Sequence, residues 1–417
     1  MQFPYKLPIV VALPLLLIAS SQSGAEEIQW NGFLGPERNG WVSYFKPPKM
    51  WPQSLKRKWQ VKVGEGYGTP VIANGLVFQH AREGDSEVVW CLNLENGKMK
   101  WQQRYSAPFK IGGGGQYHGK GPKACPVYAD GRLFTVSISG TMSGWDAASG
   151  KLLWTRNFDD QFGKSHPYWG ASSSPIVAED KVILHFGTDD EGALVALDVK
   201  SGEPVWSTSR DGASYSSPLV IELEGVKQVI QWTHNALLGV ELSTGQRLWS
   251  HPFPHVGHNQ NMPTPCVHEG NVLIGGENRG LYSLKPHRAN GKWVVKENWF
   301  QEQVAFDMSS AVMNGDRLFG MSHYKSGQLV CVDATSGKVV WSGPPRVGAN
   351  VTFLSVRGAV LALRDNGVLQ ILDPSADQYK LIAEYETSNT AAWAPPTLTE
   401  DGVLVKGTEL LSLWMIR

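Results

Sequence analysis

Three imidazoles stand close together in the stretch HPFPHVGH: His251, His255 and His258. Such a trio can ligate Zn2+ or Cu2+. No helix or strand periodicity fixes their geometry, so they are weak candidates for a metal site. A second stretch, GGQYHGKG at 114–121, approaches the phosphate-loop pattern GxxxxGK[ST]. Gly121 stands where a Mg2+-binding hydroxyl belongs, and Pro122 follows where a helix must begin. The segment therefore reads as a glycine-rich surface loop. Neither HExxH nor GxSxG occurs. The recurring carboxylates sit in turns, so no glycosidase pair can be picked out and no catalytic residue is assigned.

The elements behind these loops repeat. ALDVKSGEPVW at 196–206 returns as CLNLENGKMKW (91–101), GWDAASGKLLW (144–154), GVELSTGQRLW (239–249) and CVDATSGKVVW (331–341). Its Asp-x-x-Ser/Thr-Gly core is a turn in which the carboxylate accepts backbone N–H groups and Gly supplies positive φ. The closing tryptophans, Trp101, Trp154, Trp206, Trp249 and Trp341, are expected to dock structurally on the neighbouring repeat. Before each string stands an apolar hairpin, eight in all, from TPVIANGLVF (69–78) to PPTLTEDGVLV (395–405). Four short strands every 40–50 residues describe a β-propeller. The last repeat, ending LLSLWMIR, lacks a fourth strand, and LKRKWQVKV (55–63) is a fourth strand with no partners before it. The expectation is an all-β, eight-bladed propeller of four-stranded antiparallel blades over residues 55–417, closed by pairing these two ends. Seven blades with a separate C-terminal hairpin is the alternative.

Residues 1–25 read as a signal peptide: Lys6, an apolar run from Pro8 to Ala19, and a Ser23-Gly24-Ala25 cleavage site. An uncleaved anchor is the other reading. Residues 26–54 form an N-terminal extension. Export to the periplasm or beyond follows, with no membrane span in the mature chain. Equal numbers of basic and acidic residues, 38 each, give no field that argues for nucleic acid. The four cysteines lie at equivalent positions of distant repeats and are expected to be buried free thiols.

Aligning the inner strands places one residue per blade at the channel mouth: Tyr67, Lys123, Ser172, Tyr215, Met262, Met308, Asn350 and Trp393, with Trp169, Asn261 and Asp307 close by. The long links 105–123, 158–172 and 251–263 fall on the same face. Aromatic faces with a few polar groups suit a flat ligand or a peptide; plugging of the channel is the other reading. The sequon Asn350-Val351-Thr352 is expected to point inward, unmodified.

The strings ALDVKSGEPVW, CVDATSGKVVW and GWDAASGKLLW resemble the pyrroloquinoline-quinone (PQQ) repeat with its tryptophan-docking pattern. WNGFLGPERNGW (30–41) followed by GEGYGTPVIANG resembles exported PQQ-like propellers of planctomycetes and related bacteria. The resemblance implies the fold over residues 30–417. It also implies two precedents: quinoprotein alcohol dehydrogenases, which use PQQ and Ca2+, and the outer-membrane assembly propeller, a non-enzymatic lipoprotein that binds a partner. The chain has no adjacent Cys pair, no CxxCH and no lipid-anchoring Cys after the apolar run; Asp307 and Asn261 are the nominees for Ca2+. The expected function is non-catalytic binding of a protein or polymer at the channel mouth, as a monomer and without a cofactor. The alternative is a PQQ-dependent alcohol or sugar oxidoreductase with PQQ and Ca2+. A third reading is a carbohydrate-active site built from the long links.

Overall fold

Each apolar hairpin grows into a four-stranded antiparallel sheet, and there are eight such sheets. The computed structural model describes residues 29–417 except 209, 258 and 259; the signal peptide expected at 1–25 lies outside the described residues. Blade 1 comprises Val71–Ala73, Leu76–Glu83, Ser86–Asn93 and Met99–Ser106. Blades 2 to 7 follow as simple meanders with inner strands Val127–Ala129, Ile176–Ala178, Leu219–Leu223, Cys266–His268, Val312–Asn314 and Val351–Val356. The only α-helix among the described residues is the four-residue turn Asp159–Phe162.

Blade 8 takes Thr397–Leu398, Gly402–Lys406 and Leu410–Met415 from the end of the chain and Lys56–Lys62 from its beginning. The pairing runs antiparallel from Lys56 opposite Met415 to Lys62 opposite Leu410. Both partners would otherwise leave an open edge. The ring therefore closes with eight blades, and the seven-bladed alternative falls.

Tryptophans bind neighbouring blades together. The indole N–H of Trp59 donates to Leu94 O (2.8 Å), Trp101 to Ala147 O (3.0 Å), Trp154 to Val199 O (3.2 Å), Trp206 to Leu242 O (2.9 Å) and Trp299 to Ala334 O (3.0 Å). Each acceptor belongs to the turn of the next blade. The glycine of that turn (Gly97, Gly150, Gly202, Gly245 or Gly337) has φ between 69° and 75°. A Cβ there would lie 2.5–2.9 Å from the indole. Glycine is thus required twice, by the backbone and by the ring. The turn carboxylates also behave as expected: Ser149, Ser201 and Ser336 hydrogen-bond to Asp146, Asp198 and Asp333 and hold them below the usual carboxylate range.

Two of the expected docks are made differently. Trp249 donates to Gln228 Oε1 (2.8 Å) inside its own blade, because blade 5 replaces the short turn with the long hairpin of Leu281–Ala289 and Lys292–Gln301. Trp341 packs edge-on against Tyr379, and its indole nitrogen has no protein partner among the described residues; blade 7 offers DPSADQ in place of a glycine turn.

Residues 30–45 thread the floor of the channel and touch most of the ring. Trp30 and Ile72 exchange two backbone hydrogen bonds, Tyr128 N–H donates to Asn31 O, and Val42 N–H donates to Ser355 O. The Arg38 guanidinium is buried and spends its N–H groups on the carbonyls of Ser174, Pro175 and Pro218. Tyr44 Oη donates to Leu398 O. Gly40, at φ 77°, passes so near Val312 that a Cβ would lie 2.4 Å from its methyl. The segment packs Trp30, Val42 and Phe45 into the same core as blades 1, 7 and 8. All four cysteines are free; Cys91, Cys125 and Cys331 are buried and Cys266 is half-buried.

The two kinds of tryptophan differ measurably. Trp154→Phe strands Val199 O, whereas Trp341→Phe removes a donor that already lacks a partner. We expect Trp154→Phe to cost about 1–2 kcal/mol more than Trp341→Phe, read as the difference in urea midpoint at constant m-value; equal costs would contradict the docking assignment.

Candidate functional site

The entry to the inner strands alternates, and the alternation builds a cup. At one position stand Thr69, Cys125, Ser174, Ser217, Thr264 and Ser310, nearly all followed by proline. Each of the first five hands its backbone N–H to the side chain of its counterpart in the next blade. Thr69 donates to Cys125 Sγ (3.0 Å), Cys125 to Ser174 Oγ (2.9 Å), Ser174 to Ser217 Oγ (2.9 Å), Ser217 to Thr264 Oγ1 (3.1 Å) and Thr264 to Ser310 Oγ (2.9 Å). Blade 7 shifts the pattern by one residue: Ser309 Oγ donates to Asn350 Oδ1 and accepts from Val351 N–H. Between blades 1 and 8, Thr69 Oγ1 donates to Pro395 O. The result is a belt of short polar side chains around the channel.

Two residues earlier, on the same face of the extended backbone, lie the eight aligned mouth positions. All eight line one cavity of about 430 Å3. The floor is Phe33 and Leu34 of the threaded N-terminal segment, so the channel is a cup closed by the chain itself.

Aromatic rings fill one arc. Tyr67 and Trp393 stand 6.1 Å apart, His118 meets Trp393 edge-on at 4.5 Å, and Trp169 lies 5.8 Å from Tyr215. Tyr215 Oη accepts the Trp169 backbone N–H, and Trp169 Nε1 donates to Gly113 O. The glycine-rich segment read as a surface loop thus leans over the rim; a Cβ at Gly115 would meet Ile111 and Trp169. Lys123 sits among these rings with Nζ donating to Trp169 O (3.0 Å), and burial pushes its pKa down to about 8. Burial and the nearby Lys123 charge lower His118 as well.

The opposite arc is acidic. Asp307 and Glu277 line it beside Met262 and Met308. Burial, reinforced by Glu277 and opposed by Arg279, raises Asp307 to about 6. Glu277 also stands 3.8 Å from His323. Arg279 is pinned to Pro254 O and Asn261 Oδ1, each at 2.7 Å, and lies over the rings of Trp232 and Phe253.

Asn261 does not join the cup. It is fully buried, its amide nitrogen donates to Thr233 O, His234 O and Phe253 O, and its oxygen accepts from Arg279. The pair nominated for Ca2+ therefore fails to converge: Asp307 faces the cavity and Asn261 braces the loop behind it. A Ca2+ site needs six to eight oxygens, and these residues do not fit the metal that would accompany a quinone. The imidazoles divide too. His255 packs against His234 with ring centroids 3.7 Å apart and the planes tilted by 41°, His251 lies on the outer strand Arg247–Pro252, and His258 is outside the described residues. Among the described residues no group of three or more His, Cys, Asp or Glu is placed to hold a metal. Asn350 is buried and bonded to Ser309, turned inward as expected.

A family model described as outer membrane protein assembly factor BamB (PQQ_2) matches residues 112–343, more than half of the chain. The outer membrane protein assembly factor BamB of Shewanella oneidensis is 22% identical over 250 residues, covering 58% of this chain and 61% of that protein. The chain thus spans less than two thirds of that relative's length. Among solved structures, BamB from Moraxella catarrhalis superposes with a TM-score of 0.62 at 16% identity, covering 87% of this chain and 99% of that one. The quinohemoprotein alcohol dehydrogenase ADHIIG from Pseudomonas putida HK5 gives 0.67 at 12% identity, covering 93% and 80%. At these identities the structural likeness concerns the fold alone.

The raised Asp307 has a stability consequence. The folded chain holds this proton more tightly than the unfolded chain, so ionising Asp307 opposes folding. The penalty is absent below the unfolded value near ~3.9, grows through about 6 and is complete above it. Asp307→Asn should therefore stabilise the protein at pH 7.5, by about 1–3 kcal/mol, and lose that advantage at pH 4; a gain independent of pH would contradict the assignment.

Proposed function

The chain belongs to the PQQ_2 family, described as outer membrane protein assembly factor BamB, and on that premise we propose that it is a non-catalytic, exported scaffold that binds a protein partner at its channel mouth. One observation carries the reading: eight equivalent positions from eight blades converge on a cup of about 430 Å3 that the chain's own N-terminal segment closes from below. A closed cup rimmed by Tyr67, Trp169, Tyr215 and Trp393 offers aromatic anchors at the centre of a surface, where binding energy concentrates in protein interfaces. The relatives named as assembly factors support a partner-binding role. They also support a place outside the cytoplasm, in the periplasm or beyond, as does the apolar N-terminal run. No helix among the described residues is long and apolar enough to cross a membrane. In this reading the cup needs no cofactor.

Affinity capture from envelope extract tests the proposal. The triple variant Tyr67→Ala, Tyr215→Ala, Trp393→Ala keeps the far-UV spectrum of the wild type and recovers at least about tenfold less of the partner that the wild type recovers. Unchanged recovery places the binding face elsewhere. A parallel sample receives PQQ and Ca2+. Saturable uptake with alcohol-dependent dye reduction would overturn the non-catalytic reading in favour of an oxidoreductase.

A further inference from the structure

The belt hydroxyls receive hydrogen bonds that they do not pass on. Ser217, Thr264 and Ser310 each accept a backbone N–H through oxygen, and their own O–H protons have no acceptor among the described residues. Thr352 stands at the same position of blade 7, two residues after Asn350. Its Oγ1 has no hydrogen-bond partner among the described residues, although the residue is only 8% exposed. All four line the cup, below the mouth positions. From blade 4 round to blade 7, the lower wall therefore carries O–H donors without an acceptor.

A cation stands behind the floor. Arg38 bonds to Ser174 O, Pro175 O and Pro218 O at the foot of blades 3 and 4, one residue from Ser217. Its guanidinium lies 5.7 Å from the centre of the Phe33 ring, which is part of the floor. Carbonyl dipoles occupy its N–H groups, but no carboxylate forms an ion pair with Arg38 among the described residues. The carboxylates that line the cup, Asp307 and Glu277, belong to the wall of blades 5 and 6. An anion is therefore drawn to the wall of blades 3 and 4. Lys123, bonded to Trp169 O, contributes only its charge on the adjoining side.

Shape selects the anion. Phe33 and Leu34 close the cup from below, and about 430 Å3 holds a few residues of chain. A chain that enters and leaves by one opening needs a turn of about four residues at the bottom, so a chain end reaches the floor more readily than a loop. An N-terminal ammonium would face the Arg38 charge and O–H donors that it cannot use. A C-terminal carboxylate accepts from those donors.

We propose that the cup receives the free C-terminus of the partner polypeptide, with its carboxylate accepting from Ser217 and Thr264 above Arg38. The preceding residue packs against Tyr67 and Trp393, and its backbone meets Thr352. The inference rests on the mouth-docking reading and adds which part of the partner docks. Hydrogen bonds to the carboxylate are charge-assisted, and the buried setting strengthens them.

Three peptides decide it: acetyl-Gly-Trp-Ala with a free carboxylate, the same peptide as its C-terminal amide, and acetyl-Gly-Trp-Asp-amide, whose carboxylate is on a side chain. Binding to the full chain is read by calorimetry at pH 7 and low salt. The free acid should bind about tenfold tighter than either amide. Ser217→Cys should erase most of that advantage. The belt already holds a thiol, Cys125, that accepts a backbone N–H, so the variant keeps the belt bond and loses only a strong donor. Thr352→Val removes a hydroxyl that has no partner in the protein and should weaken acid and amide alike, about threefold. Near-UV circular dichroism checks that each variant keeps its packing. Equal binding of the acid and its amide, or an advantage that Ser217→Cys leaves intact, overturns the proposal. So does an Asp-amide peptide that binds as tightly as the free acid, or an N-acetylglucosamine trimer that binds more tightly than it. If acid and amide bind alike yet weaken together in Trp393→Ala, the C-terminal inference fails and mouth docking stands. If no peptide binds at millimolar concentration, the inference fails, and the recovery of the partner from envelope extract judges mouth docking separately.

Discussion

The architecture depends on one repeated bond: at five blade junctions, from blade 1 to blade 6, a backbone N–H at the start of an inner strand donates to the Ser, Thr or Cys side chain of its counterpart one blade on. These donors lie at the channel, where strands of different blades do not pair. Left unmatched, each would carry the cost of a buried polar group, about 1–3 kcal/mol. The belt removes that cost and fixes the relative heights of the inner strands from blade 1 to blade 6. Because side chains alternate along a strand, the residue two places earlier is then directed into the same channel at the same level. The cup's composition follows from this register, blade by blade.

The perimeter is secured by different chemistry. Tryptophans dock on glycine turns at five blade junctions, and the two chain ends share a sheet at the eighth blade. Trp59 belongs to both arrangements: it lies on the closing strand and docks on blade 1. Closure and docking therefore reinforce each other where the ring would otherwise open. The threaded segment adds contacts from blade 1 round to blade 8 and turns a channel into a cup.

Much of this is legible in the sequence, for physical reasons. Hairpins with period-two apolar strands and glycine turns repeat eight times, and the mouth positions can be aligned because the fold imposes one register on all of them. The docks are only partly legible, since an indole's acceptor lies in the following repeat. Trp249 and Trp341 look like their counterparts but face blades that lack the glycine turn, whereas Trp299 closes a drifted string and still finds Ala334. Asn261 aligns near the mouth, yet the pull of three carbonyls behind the loop turns it away. The belt leaves a signature, Ser, Thr or Cys before proline, that becomes meaningful only once the blades are side by side. The threaded segment carries a family resemblance in WNGFLGPERNGW but no sign of its path: it has no periodicity, and its partners lie far along the chain.

The central claim is that the cup, and not the outer rim of the blades, receives the partner. Photo-crosslinking in envelope preparations tests it directly, with a benzoylphenylalanine placed at position 67 in one protein and at the exposed outer-strand position 205 in another. The account predicts a specific adduct from position 67 that excess unlabelled wild-type protein competes away, and none from position 205. A competable adduct from position 205 with none from position 67 would contradict it.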